Sequence, residues 1–546
     1  MFRKTGTSHQ LSLQSSVYQH LNDNLTGLFT DEAGWHNVFY KQVVSRIDEN
    51  LFSGLYSSGK GSPNAPIRTL IGMMILKEGA GYSDKKLFEN CRFNLLTRKA
   101  LGYVNIDDPI PAESTYYLLR KRISDYYAEK GVDLFELNFK KITREQIIEF
   151  EVSGESIRMD SKLIGGNIAF YSRYELIHKT LIQFHNKVYK KQVKILSKED
   201  RDILAGFVKE KSSATVYNST KQQITERLVI LGRLIYTILN TVKENNNKHY
   251  LTLKRVFAEQ FKVLADDKIE ITPSKEISAK SIQSPHDTDC DFRTKDGKPT
   301  KGYNQNITET CSGDNAVNLI TNIQTETATH PDNKFTKPAI ENSRELLADD
   351  IKNVHTDGAY NSRENQEFTK QEDIDFYLTG FQGKPGRYDL TLKDGGLHVF
   401  DNQNNTEVAA SPTKNNKYRI KTEKGYRYFT DEEIESCRLR KQVKELPKEI
   451  GDKRNNVEAT IYQLAYYLRK DKTKYRGCFK NKIWAILRGL WINFARIAKH
   501  LTKPVKNAQS NVINTLHLAF FVKILYFLET LTRLDWLRKH KMQICQ

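Results

Sequence analysis

At Ser156 the chain changes period, and no other feature of its 546 residues constrains the fold as much. Upstream of that point apolar residues recur at helical spacing. Ile67, Leu70, Ile71, Met74 and Ile75 make one stripe behind Pro66, a residue suited to the first turn of a helix. Gly79-Ala-Gly81 is expected to break that helix, Ser83 to cap the next, and Leu87, Cys91 and Leu95 to continue the period. A third helix is expected from about Ser114, carrying Arg120, Lys121 and Arg122. Short helices with tight turns, the last one basic, suit a helix-turn-helix-like unit, and equally a plain bundle with a solvated basic face. From Ser156 onward Ile157, Met159 and Leu163 alternate with Arg158, Asp160 and Lys162, as in a strand with one buried face.

The remaining segments give the organisation. Residues 1–30 are polar and read as an arm, and 31–150 as a helical N-terminal domain. Residues 172–269 return to helical spacing, rich in lysine, and read as an insert. Strand patterns resume at 289–293, 302–307 and 317–327. A helix over 338–348 leads to a strand ending at Asp357, and a helix (362–371) and a strand (374–379) follow. Short alternating segments between 388 and 429 read as an antiparallel β insert, 386–439. From Asp431 helical spacing is expected to the end, with 501–546 as a C-terminal helical segment. The core is then assembled from 151–171, 270–385 and 440–500, a mixed sheet flanked by helices.

The chain carries 85 Lys+Arg against 66 Asp+Glu, a formal charge of +19, which favours a polyanionic partner. A membrane surface fits less well. There is no signal peptide, no lipidation motif, and no apolar run of about 18 residues, since the best stretch, 516–531, contains His517, Lys523 and Glu529. The cysteines are scattered without a C-x-x-C pair, which argues for reduced thiols in a cytosolic protein rather than a disulfide framework or a zinc site.

Three separated acids sit in elements of the right kind to converge. Asp160 lies in the Ser156 strand, Asp357 ends another strand, and Glu458 lies on a helix whose stripe of Val457, Ile461, Leu464 and Leu468 would face the sheet. Two strand carboxylates and one from a helix can hold a pair of divalent ions, the arrangement that clamps the attacking and leaving oxygens of a phosphodiester. Magnesium favours it, because that ion takes oxygen ligands and holds only one or two carboxylates beside water and phosphate. Each acid also has an ordinary reading. Asp357 before Gly358 can cap a turn, and Glu458 with Arg454 can be a surface pair four residues apart. The basic stretch with Lys470, Lys472, Lys474 and Arg476 can neutralise phosphates, while Trp484 and Trp491, seven apart, suit the core of a helix.

These segments resemble the DDE transposases of bacterial insertion sequences. The likeness rests on Gly81-Tyr-Ser-Asp-Lys-Lys-Leu87 and Ser114-Thr-Tyr-Tyr-Leu-Leu-Arg120, on Arg158-Met-Asp-Ser-Lys162, on Asp357-Gly-Ala-Tyr360, and on Arg454-x-x-x-Glu458 followed by Lys474-Tyr-Arg-Gly477. It implies an RNase H-like core with Asp160, Asp357 and Glu458 as catalytic metal ligands for two magnesium ions, manganese being a possible substitute. It implies binding of double-stranded DNA at terminal inverted repeats and joining of 3′ ends to target DNA. A homodimer in the synaptic complex and a bacterial cytoplasmic, nucleoid-associated location follow, without a membrane or a nucleotide cofactor. Arg120, Lys121, Arg122, Arg454, Lys470, Lys472, Lys474 and Arg476 are the candidate DNA contacts. Two departures stand out: Gly451 and Ala465 occupy positions where relatives often carry tyrosine and a cation, and Arg469, Lys470, Lys472 and Lys474 lie near enough to substitute. A DNA-binding relative without activity, and a structure-specific nuclease without strand transfer, are the alternatives. Gly54-Leu-Tyr-Ser-Ser-Gly-Lys60 has phosphate-loop spacing but Gly61 where a hydroxyl is needed, and His286-Asp-Thr-Asp-Cys-Asp291 reads as a polar loop entering a strand.

Overall fold

The computed structural model describes residues 1–4, 21–57, 59, 61–103, 105, 108–188, 196–242, 246–295, 297–347, 350–381, 383–393, 395–413 and 417–502. The polar arm (except residues 1–4 and 21–30), residues 503–546 and Cys545 lie outside the described residues, as does the 516–531 stretch.

The fold is mixed α/β. Six strands make its central sheet: β1 (Ser156–Gly165), β2 (Asp291–Lys295), β3 (Lys298–Thr310), β4 (Ile320–Thr327), β5 (Asn353–Thr356) and β6 (Asp375–Leu378). The long β3 pairs antiparallel with β1, β2 and β4. On the other side of β1, β5 and then β6 run parallel to it, with Arg158 opposite His355. Helix Thr336–Arg344 leads from β4 to β5, and helix Arg363–Gln371 connects the parallel neighbours β5 and β6. Helix Lys448–Ala465 lies across β1 and β5.

One continuous apolar core takes in Leu70 and Ile75 of the N-terminal helices, Ile157 and Val354 of the sheet, and Leu490 of helix Cys478–Leu501. The segment after β1 folds as helices between Arg173 and Gln260 around a second core that includes Ile177, Leu231 and Leu253. A third, small core (Leu390, Val399, Ile420, Phe429) lies in the β insert.

The structure departs from the sequence pattern in several places: the helical insert ends in a two-stranded ribbon (Phe261–Val263 with Ile269–Ile271), and Asp23–Thr30 of the polar arm is a helix. β1 has both faces covered: Arg158 is as buried as Ile157 and Met159 beside it, because helix Lys448–Ala465 roofs the side that alternation leaves to water. The Gly79-Ala-Gly81 run ends the helix as expected, at Ala80 with Gly81 in the left-handed region at φ 68°, while Gly79 itself stays helical. Gly79 is small for packing: a Cβ there would stand 2.0 Å from the Trp491 ring. The β insert consists of two three-stranded antiparallel sheets. Helical spacing after Asp431 is also interrupted, at residues 466–477, where Lys470 and Asp471 take φ values of 54° and 52°.

β3 is a strand of buried polar residues, Asn304, Gln305, Asn306, Thr308, Glu309 and Thr310 among them. Glu309 is fully enclosed, and a carboxylate taken out of water is stable only when paired and hydrogen-bonded. Its partners come from three elements: Arg158 Nε of β1 at 2.7 Å, Arg496 Nη2 of the last helix at 2.7 Å, and the Thr460 hydroxyl at 2.8 Å. Burial pushes the Glu309 carboxyl up, but Arg496 and Arg158 outweigh it and hold it below the usual range. Arg158 also donates from Nη1 to the Lys453 carbonyl at 2.8 Å, and so grips the Thr460-bearing helix a second time. Glu309→Ala leaves two inward-facing guanidinium groups without their carboxylate. It should cost about 3–5 kcal/mol in urea unfolding, and a loss under about 1 kcal/mol would refute the role given to this network.

Candidate active site

Asp160 sits mid-way along β1, opposite Ile307 of β3. Its Oδ1 accepts from the Ser161 backbone at 2.8 Å. Ser161 in turn donates to Asp332 at 3.0 Å, which fixes the strand locally. Asp357 follows the last residue of β5, the strand parallel to β1, so the two carboxylates emerge side by side on neighbouring strands.

The local sequence after Asp357 has a physical reason at each position. Asp357 Oδ1 accepts from the Ala359 amide at 2.8 Å, capping a tight turn over Gly358–Tyr360. A Cβ on Gly358 would come within 2.5 Å of the Gly380 carbonyl, so no side chain fits there. Tyr360 is fully buried, and its hydroxyl donates to Asn306 of β3 at 2.6 Å, locking the turn onto the sheet. The turn-cap reading of Asp357 therefore holds for one of its oxygens, and the other is turned toward Arg454.

Glu458 is carried by helix Lys448–Ala465, which buries Val457, Ile461 and Leu464 against the sheet and presents its edge above β1 and β5. Arg454, one turn earlier, is the centre of the arrangement. Its Nη2 lies 3.1 Å from Asp160 Oδ2 and 3.9 Å from Asp357 Oδ2, and its Nη1 lies 2.6 Å from Glu458 Oε1. The Arg454 side chain is only 14% exposed, against 60% for Glu458. The pair is thus not an ordinary surface pair: one half-enclosed guanidinium gathers three carboxylates from three elements.

Asp160 is strongly perturbed. Burial pushes its carboxyl up to about 6, the Arg454 charge and the Ser161 amide pull it down, and the neighbouring Asp357 charge pushes it up again. No group of three or more His, Cys, Asp or Glu side chains close enough for one shared ion occurs among the described residues. The acids meet around Arg454 rather than around a common point of their own. His355, two residues before Asp357 and stacked on Tyr377 with centroids 5.0 Å apart, was not visible as a site residue in the sequence. Burial, with Lys453 and Arg158 nearby, takes its imidazole down to about 4, and neither ring nitrogen has a hydrogen-bond partner among the described residues.

The other basic candidates divide into two groups. Arg120 stacks over the rings of Tyr116 and Tyr475 at 5.8 and 5.5 Å, so it belongs to a packed junction rather than to a solvated face. Arg122 lies over the Tyr56 ring at 4.9 Å, and Lys121 pairs with Asp125 one turn on. Lys470, Lys472, Lys474 and Arg476 all lie on the 466–477 loop, which extends β1: the Gly165 amide donates to the Asp471 carbonyl at 2.7 Å, and Thr473 donates back at 2.9 Å. Lys472 is tied to the Ile168 carbonyl at 2.6 Å and Arg476 to that of Asn167 at 2.8 Å, whereas Lys470 and Lys474 are exposed. The run from His286 enters β2 as a polar loop, with Asp287 accepting from the Tyr303 hydroxyl at 2.6 Å. Trp484 is in the core, as its spacing indicates, and the five described cysteines are free. No helix among the described residues is long and apolar enough to cross a membrane.

Residues 30–122, the helical N-terminal region, match a family model described as Transposase domain (DUF772). No curated protein and no solved structure matches the chain.

Asp160 also gives a pH test. Its folded value, about 6, exceeds the ordinary 3.8, so ionising it opposes folding above about pH 6, and the penalty is absent below 3.8 where both states are protonated. Asp160→Asn should therefore raise Tm over wild type at pH 8 in EDTA, with the difference shrinking as pH falls from 6 toward 3.8. A difference independent of pH would contradict this environment for Asp160.

Proposed function

We propose that this transposase-domain protein is a DDE-type enzyme with an RNase H-like core that binds the ends of its element, cleaves DNA and joins the 3′ ends to target DNA. The observation that carries the reading is the convergence of Asp160, Asp357 and Glu458 on Arg454, from two parallel neighbouring strands and the helix that crosses them. The strand order β4-β3-β1-β5-β6, antiparallel on one side of β1 and parallel on the other, supports the RNase H-like assignment.

The donors fit a divalent cation. The three acids already surround a positive charge, and the Asp357 charge disfavours ionisation of Asp160 beside it. Because no three acidic side chains converge on one point, each ion would be held by one or two carboxylates, as magnesium is when water and phosphate complete its shell. Asp160 with Asp357 would hold one, and Glu458 would contribute to the second. When bound, such ions promote loss of the proton from a water or 3′-hydroxyl nucleophile and stabilise the leaving oxygen.

The chain's own groups supply the rest. Buried, unprotonated Asp160 and the turn-locked Asp357 hold fixed negative oxygens, while Arg454 balances them when no other cation is present. Once a phosphodiester enters, Arg454 has five N–H donors suited to a phosphate and no reason to remain between carboxylates that are otherwise neutralised. The exposed Lys470 and Lys474 give salt-sensitive backbone contacts beyond the acids. Joining two ends in one event requires at least two copies of the chain.

The test is nicking and strand transfer on a labelled element-end duplex with magnesium, with DNA binding followed in parallel. Asp160→Ala, Asp357→Ala and Glu458→Ala should each lower both reactions by more than about a hundredfold while binding persists. An unaffected variant removes that acid from the site. A wild type that binds ends without cutting them is a DNA-binding relative, and one that cuts without joining is a nuclease.

A further inference from the structure

Along the edge of the Glu458 helix, residues four apart stand in line: Arg454, Glu458, Tyr462 and Tyr466. The last two are exposed tyrosines, 66% and 59% accessible, and Tyr467 beside them is 52% accessible. The rings touch in sequence, Tyr462 to Tyr466 with centroids 5.7 Å apart and Tyr466 to Tyr467 at 5.0 Å, both edge to face. They form a continuous ridge, not single scattered residues.

The ridge is anchored at one end. The Tyr467 ring covers Gly81, where a Cβ would stand 2.5 Å from it, and the Arg488 guanidinium lies 5.4 Å from the ring centroid. Arg488 is itself held by carbonyls, including those of Glu78 at 2.9 Å and Gly79 at 2.8 Å. The ridge therefore starts on the transposase domain and runs to the acid cluster, spanning about 12 Å of helix between Glu458 and Tyr466. Exposed Arg469 and Lys470 follow it in the chain.

We infer that this ridge is a stacking platform for unpaired bases of the DNA strand that leads away from the cut. The inference rests on the function proposed above and adds a property of its substrate: within about four nucleotides of the scissile phosphate, at 3.4 Å per step, the strand is opened and its bases lie on Tyr462 and Tyr466. Aromatic faces accept any base, and the neighbouring cations follow the backbone, which is the combination that holds single strands without reading sequence. Exposed Arg469 and Lys470 flank the rings with positive charge, which complements a nucleic-acid backbone. The ridge also gives this chain a strand contact where Ala465, buried in the core, offers none.

The experiment uses the full chain and a forked duplex with 2-aminopurine in its single-stranded arm, in EDTA, so that binding is read without cleavage. Anisotropy and 2-aminopurine quenching are followed for wild type, Tyr462→Ala/Tyr466→Ala and Tyr462→Phe/Tyr466→Phe. The alanine pair should weaken fork binding about tenfold or more and relieve the quenching. The phenylalanine pair should retain both, and fully paired duplex should bind all three proteins equally. Fork affinity and quenching unchanged in the alanine pair would overturn the platform, as would a change confined to self-association of the protein. A wild type that binds the fork through the tyrosines but fails to cut with magnesium would instead break the catalytic reading alone.

Discussion

The buried carboxylate of Glu309 ties together the elements on which the candidate site depends. A fully enclosed charge on a central strand is costly unless its partners are held close, and here they are recruited from β1, from the Glu458 helix and from the last helix. That requirement sets the height and rotation of helix Lys448–Ala465 over the sheet, because both Thr460 and the Lys453 carbonyl are engaged. Arg454 and Glu458 project from the same helix within one turn of these anchors. A buried ion network in the sheet thus positions a second, more open one at its edge.

The second network is more open than the first. Its cation is a side chain that reaches three carboxylates, with Glu458 largely in water and Asp160 raised toward neutrality by burial. Arginine satisfies the carboxylates without a bound ion and prevents three like charges from forcing the strands apart. The arrangement has the character of a functional site, where charge is kept in a half-buried cleft at some expense to stability.

The parts of the site legible in the sequence were those with local geometric consequences. Asp160 is marked by strand alternation, Asp357 by a Gly that must be bare and a Tyr that must be buried, and Glu458 by an apolar stripe at helical spacing. Glu309 carried no mark. Its segment reads as any polar strand, and nothing in local spacing says that Arg158 and Arg496 will close over it. For the same reason β1 looked half-exposed, since the helix that covers it lies roughly 290 residues later in the chain. The packing role of Gly79 left no sign in the sequence because its partner, Trp491, is equally remote. The interruption after Ala465 was hidden because Leu464 and Leu468 keep helical spacing across it, while Lys470 and Asp471 adopt left-handed backbone that few sequences announce. The β insert divides into two sheets because pairing, not alternation, decides which strands are neighbours.

We propose that Asp160 and Asp357 hold one divalent ion and Glu458 contributes to a second, with Arg454 balancing the acids when no other cation is bound. Calorimetric titration of manganese into the DNA-free protein tests it most directly. Wild type should bind manganese, Asp160→Asn and Asp357→Asn should each weaken binding about tenfold or more, and Arg454→Gln should tighten it by removing the competitor. Binding indifferent to all three substitutions, or weakened by Arg454→Gln, would contradict it.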